Sequence, residues 1–120
     1  MNVILFILFA AVTATFGQLG FKLGVNQVGE VSKLSPSVLL EMVFNPYVLI
    51  GLFLYGVSTI SWLVALSKED LNFVYAFTSL ILVMVFLLSF AVLGESVSIY
   101  NTLGYSLIIL GLLIIFFYQR

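Results

Sequence analysis

Four long apolar stretches, at residues 3–23, 46–67, 73–94 and 99–118, take up most of the 120-residue chain and leave only short polar connections between them. About 20 mostly apolar residues in a helix cross the roughly 30 Å of bilayer hydrocarbon. In that medium every backbone N–H and C=O has to be satisfied within the protein. A membrane β-barrel would show segments of about 10 residues alternating in polarity, whereas these run Leu, Ile, Val and Phe without alternation. The sequence therefore predicts an all-α fold, a single domain over residues 1–120 made of four transmembrane helices. A soluble globular domain is excluded by a hydrophobic fraction of 63%, a charged fraction of 8% and a mean hydropathy of +1.30.

The connections carry start and stop signals. Ser35-Pro36 reads as an N-cap followed by proline at the first helical position. It opens a short helix at 36–44, too brief to span and so expected at the interface. Asn45-Pro46 repeats the signal ahead of the second span, and Lys68-Glu69-Asp70 marks a water-exposed loop. The link at 96–100 is short enough to make spans three and four a tight antiparallel hairpin. Met1-Asn2 leads into the first span without a basic leader, so that span is expected to be retained. An even number of spans puts both termini on the side of Lys68. Lys68 and Arg120 there, against Lys33 with Lys22 near the boundary, lean toward cytoplasmic termini. So even a balance also leaves room for dual insertion or for an oppositely oriented partner.

The residue inventory removes several function classes. With no cysteine and no histidine, thiol chemistry, zinc sites and Ser-His or Cys-His nucleophiles are absent. Four Lys/Arg and a net charge of −1 leave no basic patch for nucleic acid. No catalytic constellation lies on one helix face, so the chain is not expected to be an enzyme, and no cofactor is implied. Glu30, Glu41, Glu69, Asp70 and Glu95 all fall in loops or at span edges. A proton-coupled exporter of cations uses a buried carboxylate, and none sits in mid-membrane.

Polar residues within the spans are the candidates for function. Thr15, Gln18, Lys22 and Asn26 follow spacings of three and four, which place them on one helix face. Such a face points into the bundle, and an intramembrane ammonium is costly enough to serve as a functional marker. Two readings of Lys22 stand side by side: a ligand for an anionic group, or a lysine reaching the headgroups with its stem buried. Gln18, one turn deeper, is either a substrate ligand or an interhelical hydrogen bond. Tyr55, Thr59 and Trp62 share a face of span two, and Tyr75 and Ser79, with Thr78 beside them, share one of span three. These aromatics line a wet path or belong to the interfacial belt, as Tyr47, Tyr100 and Tyr118 do. Ser58, Thr59, Ser61 and Ser89 are each expected to bond their own helix backbone. Gly104 and Gly111, seven residues apart on span four, read as a dimer seam or as room for span three.

Several segments resemble the small multidrug resistance type of four-span protein within the drug/metabolite transporter (EamA-like) superfamily. They are Asn45-Pro-Tyr-Val-Leu-Ile-Gly-Leu-Phe-Leu-Tyr55, Trp62-Leu-Val-Ala-Leu66-Ser, Tyr75-Ala-Phe-Thr-Ser-Leu80, Leu93-Gly-Glu95 and the Leu103-Gly and Leu110-Gly pair. Gly17-Gln-Leu-Gly-Phe-Lys22 is similar to a Gly-Gln-Leu-x-x-Lys motif in the paired subunits that flip aminoarabinose-phosphoundecaprenol. The chain also departs from the pattern. Ala14 stands where the exporters hold a glutamate, Thr78 where they hold a tryptophan, and Leu80-Ile-Leu-Val where glycines let span three bend. Flippase-like relatives often carry proline at the position of Ala76. The resemblance implies an inner-membrane transporter, a homodimer or a heterodimer with a similar subunit, enclosing a shared site near the midplane. Its substrate would be a polyprenyl-phosphate-linked sugar or similar anionic amphiphile, with Thr15, Gln18, Lys22, Tyr55, Trp62, Tyr75, Thr78 and Ser79 as binding residues. Two other expectations remain: export of a small cationic or neutral metabolite, and a non-transporting membrane subunit that supports a glycosyltransferase.

Overall fold

The computed structural model describes residues 3–30 and 32–118. Met1, Asn2 and Arg120, used above for the leader and the charge count, lie outside them. Among the described residues six helices follow in order: α1 (Val3–Val28), α2 (Pro36–Val43), α3 (Pro46–Leu66), α4 (Leu71–Ala76), α5 (Thr78–Ala91) and α6 (Ile99–Tyr118). No strand occurs among the described residues. Four segments are long and apolar enough to cross a membrane: α1, α3, α4 with α5 as one stretch of 21 residues, and α6. The protein is thus an all-helical, multi-pass membrane protein.

Local chemistry sets the helix ends. The Ser35 hydroxyl accepts a hydrogen bond from the Val38 N–H and Pro36 follows, so α2 starts as its sequence predicts. Asn45 does the same for α3, its side chain accepting from the Tyr47 N–H. No residue of α2 is buried, and Leu39, Leu40 and Val43 are exposed. Gly29 and Gly94 take φ values of +93° and +70°, which reverse the chain after α1 and α5 at little steric cost.

Span one extends further than its apolar run. At 1.5 Å per residue, the 26 residues of α1 reach about 39 Å, beyond the hydrocarbon by about two turns. The added residues are Gly24–Val28 in helical continuation, and the Asn45 amide donates to Gln27 Oε1 at 3.0 Å. This polar bond marks the water-facing edge of the α1/α3 pair.

The α1/α3 contact is the most extensive in the fold. It is antiparallel and rests on small residues. A Cβ on Gly17 would lie 3.0 Å from the Gly51 carbonyl oxygen, one on Gly20 2.9 Å from the Tyr47 carbonyl, and one on Gly51 2.7 Å from the Gly17 carbonyl. Gly24 meets Val48 and Asn45 as closely. Between these backbones there is no space for a methyl group, which is how small residues bring membrane helices together. Farther along, the Ser58 hydroxyl donates to the Ala10 carbonyl at 2.7 Å and the Ser61 hydroxyl to the Phe6 carbonyl at 2.8 Å. These two serines thus bond across helices rather than within their own, contrary to the sequence-based expectation. Thr59 and Ser89 do bond their own helix, to Tyr55 and Phe86.

Span three packs on α1 through α5, running parallel to it. It ends at Ala91 rather than Gly94, because Glu95 N–H reaches back to the Ser89 carbonyl and closes the turn. The span is broken at Phe77 without help from glycine or proline. Phe77 N–H bonds the Val74 carbonyl and Leu80 N–H the Phe77 carbonyl, both three residues back. The Thr78 and Ser79 hydroxyls donate to the Tyr75 and Ala76 carbonyls, each at 2.7 Å. These hydroxyls satisfy carbonyls that the interrupted ladder releases. The buried Phe77 ring packs between Phe73 and Phe116, with ring centroids 5.4 and 6.1 Å away.

Helix α6, like α2 and α5, buries no residue, although Tyr105 stacks on Phe86 with centroids 4.4 Å apart. The glycine seam carries a testable consequence for stability. Gly51→Ala is expected to destabilise the protein by about 1–3 kcal/mol through overpacking. Gly56→Ala, where an added Cβ meets nothing within 4 Å, is expected to change it by under about 0.5 kcal/mol. Reversible unfolding in mixed micelles measures both, and equal effects would contradict the seam.

Candidate functional site

Packing α1 on α3 through its glycines turns the opposite side of α1 toward α5. Gly20 precedes Lys22 by two residues, an angular separation of about 200° at 3.6 residues per turn. The cleft on the α5 side is lined by Thr15, Gln18, Leu19, Lys22, Val85, Leu88, Ser89, Leu93 and Glu95 and encloses about 190 Å³. Three residues of the predicted stripe therefore share one cavity. Asn26 lies beyond it in a second hollow of about 330 Å³ with Lys22, Val25, Gly29 and Glu30. Lys22 lines both, so it stands where the two hollows meet.

The chemistry of these groups differs from residue to residue. Thr15 is buried and its hydroxyl donates to the Ala11 carbonyl at 2.7 Å, which leaves it a wall rather than a free donor. Gln18 is half-buried, and among the described residues no hydrogen bond ties its amide to a neighbouring helix. It faces the cavity with two N–H donors and one acceptor. Lys22 is exposed and forms no ion pair with Glu95 across the cleft, so three ammonium donors also remain. The sequence alone marks Glu95 only as a span-edge acid. Gly94, in its left-handed turn, returns the chain over the end of α5 and brings Glu95 to the rim.

The other sequence-predicted candidates lie elsewhere. Tyr55 sits on the α3 side of α1, its ring centroid 6.0 Å from that of Phe21 and its Cβ near Gly17. Trp62 and Tyr75 meet edge to face at 5.6 Å, next to the break in span three where Thr78 and Ser79 cap carbonyls. Trp62 follows Ser61, which is bonded at the level of Phe6. Sixteen residues of α1 separate Phe6 from Lys22, about 24 Å along the axis. Within one chain the candidates thus form two groups, an amide-and-ammonium cleft toward one end and an aromatic pair toward the other. Gly104 and Gly111 face open space, with nothing within 4 Å of an added Cβ, so they make no room for span three. No group of three or more His, Cys, Asp or Glu that could hold a metal ion occurs among the described residues.

No family model matches this chain, and neither a curated protein nor a solved structure matches it.

Because the chain has no cysteine, single thiols report on the cleft directly. Thiolates form only where water reaches, so Gln18→Cys and Lys22→Cys are expected to react with a polar maleimide at least about tenfold faster than Phe53→Cys on the lipid-facing side. Equal rates would mean that the cleft is not wet.

Proposed function

We propose that the chain is a membrane transporter that carries an anionic amphiphile, a polyprenyl-phosphate-linked sugar or a close chemical equivalent, across an inner membrane. One observation carries this reading: Gln18 and Lys22 line a single cleft beside α5, and among the described residues no protein group claims their donors. Hydrogen bonds from an ammonium to a phosphate are charge-assisted, each contributing about 1.5–3 kcal/mol. An amide beside it adds further donors. The resemblance of Gly17-Gln-Leu-Gly-Phe-Lys22 to the flippase-subunit motif points the same way.

The head group then needs a route through the rest of the bilayer. Along α1 the level of the aromatic pair Trp62 and Tyr75 lies about 14 Å from the helix middle on one side and Lys22 about 10 Å on the other, given 1.5 Å per residue. An inverted second chain would bring the aromatic pair of one protomer level with the cleft of its partner. Helix α6 is the face on which two chains would meet, since Gly104 and Gly111 lie open there. Rocking of the protomers about the break at Phe77 would expose the site alternately to each side.

Glu95 gives the metabolite-export reading its support, since a carboxylate on the cleft rim suits a cationic group. Lys22 and Glu95 are both exposed on the cleft, so water screens both charges, but the half-buried Gln18 amide adds donors on the Lys22 side. The anion is therefore favoured. In proteoliposomes loaded with a polyprenyl-phosphate sugar, Lys22→Ala is expected to reduce translocation by about 10- to 100-fold, the equivalent of one lost charge-assisted bond. Lys22→Arg is expected to keep a measurable rate, and Glu95→Gln to stay near the unmodified rate. Full activity in Lys22→Ala would overturn the assignment, and loss of activity in Glu95→Gln alone would favour the cationic substrate.

A further inference from the structure

The cleft does not stop at Thr15. Thr15 and Leu88 also line a second, wholly apolar groove of about 180 Å³ with Val12, Phe16, Met84 and Leu87. The two hollows are therefore consecutive along the α1/α5 junction, polar toward Lys22 and apolar toward the membrane interior. From Lys22 to Val12 is ten residues of α1, about 15 Å, which is half of the roughly 30 Å hydrocarbon core and so the depth of one leaflet. Val12, Phe16 and Leu87 are exposed, so the groove opens sideways to lipid. Thr15 and Leu88 line both hollows, of about 190 and 180 Å³, so the two adjoin along the junction.

We infer that the α1/α5 junction is a lateral binding groove for a single-chain amphiphile, with its phosphate at Gln18 and Lys22 and the first stretch of its chain between Val12, Phe16, Met84 and Leu87. This rests on the phosphate reading above and adds where the chain lies and from which side it enters. A larger apolar hollow of about 400 Å³ exists on the other side of α1, between Leu5, Phe9, Ile60 and Val64. It carries no charged residue, and its one hydroxyl, on Ser61, is already bonded to the Phe6 carbonyl. An apolar chain there would have no head-group anchor and would gain nothing over bulk lipid, which is equally apolar. Continuity with an unpaired ammonium is what singles out the smaller groove.

The test uses the purified full-length chain in lipid nanodiscs with dodecyl phosphate carrying a diazirine midway along its chain. Photolysis is expected to label Val12, Phe16, Met84 or Leu87, saturably, and excess unlabelled dodecyl phosphate to remove the label. The dodecanol analogue is expected to label lipid-facing residues such as Phe53 without saturation. Leu87→Trp, at an exposed position that tolerates bulk, is expected to cut saturable labelling about tenfold, as is Val12→Trp, while Phe53→Trp leaves it unchanged. Loss of label in Lys22→Ala with full label in both tryptophan variants would overturn the groove and leave the phosphate reading standing. Full label in Lys22→Ala would overturn both. Label at Leu5, Phe9 or Ile60, displacement by two-chain phosphatidic acid as effective as by dodecyl phosphate, or cross-linking of Met84→Cys to a second copy would each overturn the groove.

Discussion

Close approach of α1 and α3 through Gly17, Gly20, Gly24 and Gly51 is the constraint on which the rest of the molecule depends. In lipid, packing in place of hydrophobic exclusion holds helices together, so the pair that approaches most closely fixes the frame. Ser58 and Ser61 strengthen that pair by donating to carbonyls of the facing helix. Once the glycine face of α1 is spent on α3, Gln18 and Lys22 have only the α5 side to occupy. The position of the polar cleft is thus a consequence of where the small residues are.

The same frame explains why the molecule looks unfinished toward α6. The cores of water-soluble proteins close because exposed leucine is costly there, but a leucine against a lipid tail loses little. Helix α6 accordingly buries none of its residues, and its two glycines face outward. The break at Phe77 follows a different logic. A gap in a backbone ladder is costly in hydrocarbon, and it persists because Thr78 and Ser79 stand where their hydroxyls reach the released carbonyls.

Much of this architecture was legible in the residues. Length and apolarity specify four helices, Ser35-Pro36 and Asn45-Pro46 specify two helix starts, and three-four spacing places Thr15, Gln18 and Lys22 on one face. What escaped depends on partners that periodicity does not encode. A serine that donates to its own helix and one that donates across a seam look alike in sequence, and Ser58 and Ser61 differ from Thr59 only in facing α1. The break at Phe77 has no proline or glycine to announce it. Polar residues on different spans share no periodicity, so grouping Gln18 and Lys22 with Trp62 and Tyr75 needed the relative depth of the helices, which places them about 24 Å apart by the 1.5 Å rise. Glu95 reached the rim through the turn at Gly94. The glycines on α1 carried a signal that was readable in principle: small residues at 17, 20 and 24 opposite another at 51.

The account turns on whether the Lys22 cleft holds a phosphate-bearing lipid in the native membrane. Native mass spectrometry of the full chain, released from its own membrane as wild type and as Lys22→Ala, measures this most directly. The account predicts a dimer carrying a polyprenyl-phosphate adduct in the wild type and a bare dimer in the variant. The same adduct in both, or a bare protein in both, would contradict it.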